Sequence, residues 1–264
     1  MFARIVTLAL TVFIAHGATA HEYWLEASDY TVSSGEDVQI GVFIGQKFKG
    51  NEYPYNAAQH QRFMLIDSAG LQDLGGELGD KPAITVTPRN PGLNIFADIS
   101  STQKLIYDDP ETFLSFLEHV GLQWVMEQHN ARGLPASGFG EGYTRFVKSL
   151  VSVDGGAGND VRLGMMYEIV ALSNPYTDNM ANGLPVRVFF EGRPLANTQI
   201  EIFRKGEEET QTVRTNSSGT AMIPVTSGLY MINTVHMVTP PAADIEITGA
   251  VWHSLWASMT FEIP

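Results

Sequence analysis

Short apolar stretches, cut again and again by glycine, proline and asparagine, run along nearly the whole chain, and this spacing constrains the fold more than any other feature. Val38 to Ile44, Arg62 to Ile66, Ala83 to Thr87 and Leu93 to Ile99 are separated by turn signals such as Ser34-Gly35, Gly75-Gly76 and Asn90-Pro91-Gly92. Strands this short and this close leave no room for crossover helices, so they predict a β-sandwich over residues 21–107 rather than an α/β sheet. A second run of the same kind covers residues 161–264: Val186 to Phe190, Thr198 to Arg204, Thr210 to Thr215, Thr220 to Val225, Gly228 to Val238 and Trp252 to Ile263. The fold expected is therefore mainly β, two Ig-like β-sandwich domains with a helical insertion between them.

The insertion spans residues 108–160. Asp108-Asp109-Pro110-Glu111 supplies an N-cap, a proline for the first helical position and an acidic first turn. Phe113, Phe116, Leu117, Val120 and Trp124 follow at helical spacing, which predicts one amphipathic helix to about Asn130 with Gly121 as its weak point. A connecting strand, Tyr143 to Val153, completes the segment.

Residues 1–20 have the layout of a signal peptide: Arg4, an apolar run from Ile5 to Ala15, and a small-residue cleavage motif, Ala18-x-Ala20. Cleavage there would export the chain to the periplasm or beyond and make His21 the first residue. Its amine and imidazole Nδ1 could then close a six-membered chelate on a metal ion. Loss of Arg4 takes the formal charge from −13 to −14. So acidic a chain disfavours nucleic acid and anionic membrane surfaces and suits cations. No later apolar run is long enough to insert in a bilayer. With no cysteine at all, thiolate metal sites and thiol catalysis are excluded, and a metal site must use histidine, carboxylate, methionine or backbone.

Among the other histidines, His60 and His129 stand in polar surroundings and read as surface residues; His119, beside Glu118, reads as an exposed helix-face residue. His236 and His253 each lie near the end of an apolar strand. Pairing Val238 with Val251 would set His236 opposite His253, with Cβ atoms about 5 Å apart. The metal ligands expected are thus His21, His236 and His253. The alternative for the last two is a core-edge histidine bonded to backbone and a surface one. Tyr143 and Arg145 share a strand face, which suggests an internal salt bridge. Nucleophile elbows, zinc-protease motifs, phosphate loops and dinucleotide fingerprints are all absent from the sequence, so a catalytic role is not expected.

His21-Glu22-Tyr23-Trp24-Leu25-Glu26, Tyr143-x-Arg145-x-x-Lys148, Gly192-Arg193-Pro194-Leu195, Val235-His236-Met237 and Trp256-Ala257-Ser258-Met259-Thr260-Phe261-Glu262 together resemble a bacterial periplasmic family of unknown function. Its members are often labelled as periplasmic components of nickel or cobalt uptake. The resemblance implies two sandwiches, the second similar to carboxypeptidase-regulatory-like modules, and a role in transition-metal handling through His21 and His236. The function expected is binding of nickel or cobalt, with copper as a further option, and delivery to a membrane metal transporter. Two alternatives belong to other classes. One is an envelope adhesion or carbohydrate-binding module that uses Trp24 or Trp252; the other is a copper redox enzyme of the histidine-brace type.

Overall fold

The computed structural model describes residues 21–264, so the expected signal peptide over residues 1–20 lies outside the described residues. The first half contains β1 (Glu22–Ala27), β2 (Thr31–Val32), β3 (Val38–Gln46), β4 (Lys49–Tyr53), β5 (His60–Asp67), β6 (Gly70–Leu74), β7 (Ile84–Val86), β8 (Gly92–Ser100) and β9 (Gln103–Tyr107). Helices α1 (Pro110–His119) and α2 (Trp124–Ala131) come next, then β10 (Phe139–Val153) and β11 (Tyr167–Ala171). The second half adds β12 (Leu184–Phe190), β13 (Arg193–Pro194), β14 (Gln199–Arg204), β15 (Gln211–Arg214), β16 (Thr220–Ile223) and β17 (Gly228–Val238). Helix α3 (Ala242–Thr248) and the strand β18 (Ala250–Ile263) close the chain. Among the described residues no helix is long and apolar enough to cross a membrane.

Ten strands form one sheet at the centre, with the path β15-β14-β17-β18-β10-β8-β5-β6 and with β2 and β9 also bonded to β10. A four-stranded sheet, β1-β3-β4 with β7 on β3, lies on one face of it. Tyr23, Leu25, Val38 and Ile40 of this outer sheet pack there with Phe63, Phe96, Val147 and Val151. A second outer sheet, β11-β12-β13 with β16 on β12, covers the opposite face. There Tyr167, Ile169, Val186 and Val188 meet Leu150, Ile232, Leu255 and Ala257.

The fold is mainly β and sandwich-like as expected, and the strands of the two expected ranges share one inner sheet. β10, expected only as a connector, is the hub. It pairs in parallel with β18 from Gly140–Ala250 to Ser149–Thr260, and antiparallel with β8 and β9. Period-2 alternation sends Phe146 and Leu150 into one core and Val147 and Val151 into the other.

The helical insertion begins as expected: the Asp109 side chain accepts from the Glu111 amide, and Pro110 occupies the first helical position. The single helix does not form. Gly121 takes φ +72°, a left-handed conformation that ends α1, and α2 restarts at Trp124. Phe113, Phe116 and Leu117 then cover Trp252, Trp256 and Val235 on the face of the central sheet that β1 also covers.

One turn is unusually tight. Gln46 pairs with Lys49, leaving Lys47 and Phe48 as a two-residue hairpin loop with φ of +52° and +58°. Such loops favour asparagine and glycine. Phe48 offsets the strain by burial against Trp24, ring centroids 5.4 Å apart, beneath the Lys205 ammonium.

Candidate metal centre

β1 lies across the central sheet, pegged by two hydroxyls: Ser258 Oγ donates to the Tyr23 carbonyl at 2.8 Å and Thr260 Oγ1 to that of Leu25 at 2.7 Å. His21, at the head of β1, is exposed and borders a cleft of about 320 Å³ with Lys49, Asn51 and Tyr53. Its carbonyl accepts from Arg145 Nη2 at 3.2 Å. In place of the expected salt bridge, the Arg145 guanidinium lies over the rings of Tyr23 and Tyr143, at 5.3 and 4.7 Å. Burial pushes its pKa down, and its Nε has no hydrogen-bond partner among the described residues.

The three expected ligands do not converge. His236 and His253 share the other face of the central sheet, with Leu255 and Ala257, so the sheet itself stands between them and His21. Their mutual register also differs from the expectation: Val238 pairs with His253, and His236 with Leu255. Pro240 and Pro241 cannot extend a strand ladder, and α3 fills the connection, so the hairpin closes two residues later on β18. His236 packs on Phe190 and Tyr167, ring centroids 4.6 and 5.9 Å away, and burial lowers its pKa. His253 Nε2 meets Thr144 Oγ1 at 2.9 Å; burial also lowers its pKa, against a smaller opposing influence from Asp244.

Two histidines expected at the surface are buried. His60 Nδ1 contacts Asp98 at 2.9 Å, and the other oxygen of Asp98 accepts from the Tyr23 hydroxyl at 2.6 Å. His129 Nδ1 accepts from Trp252 Nε1 at 3.0 Å, which leaves Nε2 to carry the proton and donate to the Pro135 carbonyl at 2.9 Å. Trp24 and Trp252 are both wholly buried and form no exposed aromatic platform.

A different cluster assembles where β1, α1 and β14 meet. Glu22, His119 and Glu201 each offer a ligand atom, all within 4.8 Å of one another. His119, last residue of α1, contacts Glu201 Oε1 through Nε2 at 3.0 Å, and Asn233 Nδ2 donates to Glu201 Oε2 at 3.1 Å. Glu22 is only 4 % exposed, yet its Oε2 has no partner among the described residues. Burial, then the Glu201 charge, pushes the Glu22 carboxyl up to about 7, with backbone amides of Glu22 and Lys47 and the nearby His119 pulling it back. The His119 pKa is raised, chiefly by its bond to Glu201.

Two buried carboxylates facing one half-exposed imidazole are short of positive charge, which a cation would supply. Ligand atoms around a tetrahedral first-row ion at about 2.1 Å stand about 3.4 Å apart. The His119–Glu201 pair, at 3.0 Å, is already that close, and the widest pair, within 4.8 Å, has to close by at most about 1.4 Å. The 58 % exposed His119 side chain is the part free to do so.

Residues 18–238 match the family described as a domain of unknown function, DUF4198, and the chain belongs to that family. No curated protein matches the chain. Among solved structures it is similar to one described as the D0-D1 domain of Intimin, at 14 % identity and a TM-score of 0.20, over 90 % of this chain and 97 % of that one.

Proposed function

We propose that the protein binds a divalent transition-metal ion at Glu22, His119 and Glu201, in the compartment reached by an exported chain, and serves metal uptake or homeostasis with a membrane transporter as recipient. The observation that carries this reading is the orphaned, buried Glu22 oxygen beside an imidazole and a second carboxylate. Two oxygens and one nitrogen suit nickel, cobalt or zinc, and suit copper(I), which favours sulfur, poorly. The acidic chain raises the local cation concentration around such a site. The role is binding, and His21 lies next in sequence to Glu22, where a freed amine would add to the donor set.

Calorimetry with nickel and cobalt chlorides on protein beginning at His21 should give one site per chain. Glu22→Gln and His119→Ala should each weaken it about tenfold or more. Binding unchanged in both variants refutes the assignment. A form with one extra residue before His21 reads the amine separately: a loss of affinity there adds the amine to the ligands.

A further inference from the structure

On the other face of the central sheet, at the N-terminal ends of β10 and β18, lies a cavity of about 870 Å³. Its size falls in the range of small-molecule sites. The floor is Gly142, His253 and Leu255, with Val238 beside His253 on the next strand; Met166 and Phe190 form one wall, and the segment carrying α3 another. Gly142 keeps the floor open. A Cβ there would touch the His253 ring at 3.7 Å and occupy the space above the strand.

His253 is held in place rather than left loose. Thr102 Oγ1 meets Thr144 Oγ1 at 2.9 Å, and Thr144 Oγ1 meets His253 Nε2 at 2.9 Å, a relay that occupies one imidazole nitrogen and leaves Nδ1 for another partner. The lining is mainly apolar, and Met166 stays 49 % exposed within it. The charged groups of the lining are the carboxylates of Asp244 and Glu191 and the ammonium of Lys104, which already donates to the Thr248 carbonyl. The rim thus carries a net negative charge on a strongly acidic protein.

We infer that this cavity is a binding site for a small organic cation, its apolar or aromatic body against Phe190 and Met166 and its protonated amine toward Asp244 and His253 Nδ1. Aromatic rings and thioethers both receive such bodies favourably. Charge sign is the discriminating element, because an apolar wall alone would take an alcohol or a carboxylate of the same shape equally well. The inference does not depend on the metal centre, which lies on the opposite face.

The probes are 1-naphthylmethylamine, 1-naphthalenemethanol and 1-naphthylacetate, titrated into chelator-treated protein beginning at His21. Binding is followed by equilibrium dialysis and by amide chemical shifts. The amine should bind saturably at least tenfold tighter than either analogue and move the Gly142, Phe190 and His253 amides. Met166→Arg, which adds bulk and positive charge at an exposed position, should weaken it at least tenfold. Asp244→Asn, also at an exposed position, should weaken the amine and leave the alcohol unchanged. The inference is overturned if the alcohol or acetate matches the amine, if none of the three binds at millimolar concentration, or if the folded variants bind the amine as the parent does.

Discussion

Replacing Lys148 with methionine should cost the protein a large part of its stability, and the cost should shrink in acid. Lys148 sits on β10 with a side chain only 1 % exposed. Its Nζ donates to Asp160 Oδ1 at 3.0 Å, to the Val161 carbonyl at 2.8 Å and to Glu168 Oε1 at 2.8 Å. Those two carboxylates in turn accept from the amides of Ala171, Leu163 and Gly164. One ammonium therefore fastens the connection into the second outer sheet onto the hub strand. Removing one partner from a buried ion pair costs about 3–5 kcal/mol, a large share of the stability of a typical domain. Here two carboxylates lose one cation, so the upper end, about 5 kcal/mol, is the expectation. Burial pushes the Asp160 carboxyl up, and Lys148 is the first influence opposing it. In the variant burial acts with less opposition. A carboxyl whose folded pKa lies above its unfolded value keeps its stability below the unfolded pKa and loses it as pH rises through the folded one. The gap between parent and variant should thus be wider at pH 8 than at pH 5. Urea denaturation at both pH values measures it, with Lys148→Met/Asp160→Asn/Glu168→Gln expected to recover more than half of the loss. A gap below about 1 kcal/mol at pH 8, or an equal gap at both pH values, refutes the reasoning.

Glu141 should make the protein's stability fall as pH rises. It is buried, accepts from Tyr107 Oη at 2.9 Å and from Ser254 Oγ, and burial pushes its pKa up from 4.5 to about 7. The stability tied to its protonated form is present below about pH 4.5 and is lost as pH climbs through about 7, up to about 3 kcal/mol. Glu141→Gln should remove that slope; denaturation curves whose midpoints shift in parallel from pH 5 to 8 would contradict it. The β17–β18 register can be read chemically, because the chain has no native cysteine. Val238→Cys with His253→Cys, directly opposed, should oxidise to a disulfide, whereas His236→Cys with His253→Cys, diagonal to each other, should resist it. The reverse outcome would restore the register first expected from the sequence.

Elements with a complete local pattern were legible: β17 spans the expected Gly228 to Val238, and α1 starts on the Asp109 cap. What the sequence left open was partnership. Alternation tells which residues share a face, but not which strand lies beside them. Nothing near Tyr143 or Ser254 announces that β10 and β18 pair in parallel more than a hundred residues apart, or that both sandwiches hang on that pair. His60 and His129 failed for a related reason. Their immediate neighbours are polar, but His60 is held by Asp98 and His129 by Trp252, both from distant strands.

The candidate metal centre shows the same limit most sharply. In β14 Ile200 and Ile202 point into the core beneath the second outer sheet, so Glu201 between them belongs to what looks like a solvent face. That face is wet only if nothing crosses it. β1 and the end of α1 do cross it: Trp24 packs with Phe203 and Met231, and His119 reaches Glu201 itself. Glu22 likewise reads as the polar half of an alternating pair with Tyr23, although both are buried. An edge strand with both faces covered must bury its polar positions. Glu22 holds one carboxylate oxygen there without a partner, which costs stability unless a proton or a cation neutralises the group. That tension, rather than the histidine count, marks the N-terminal end of β1 as the place to look for a metal.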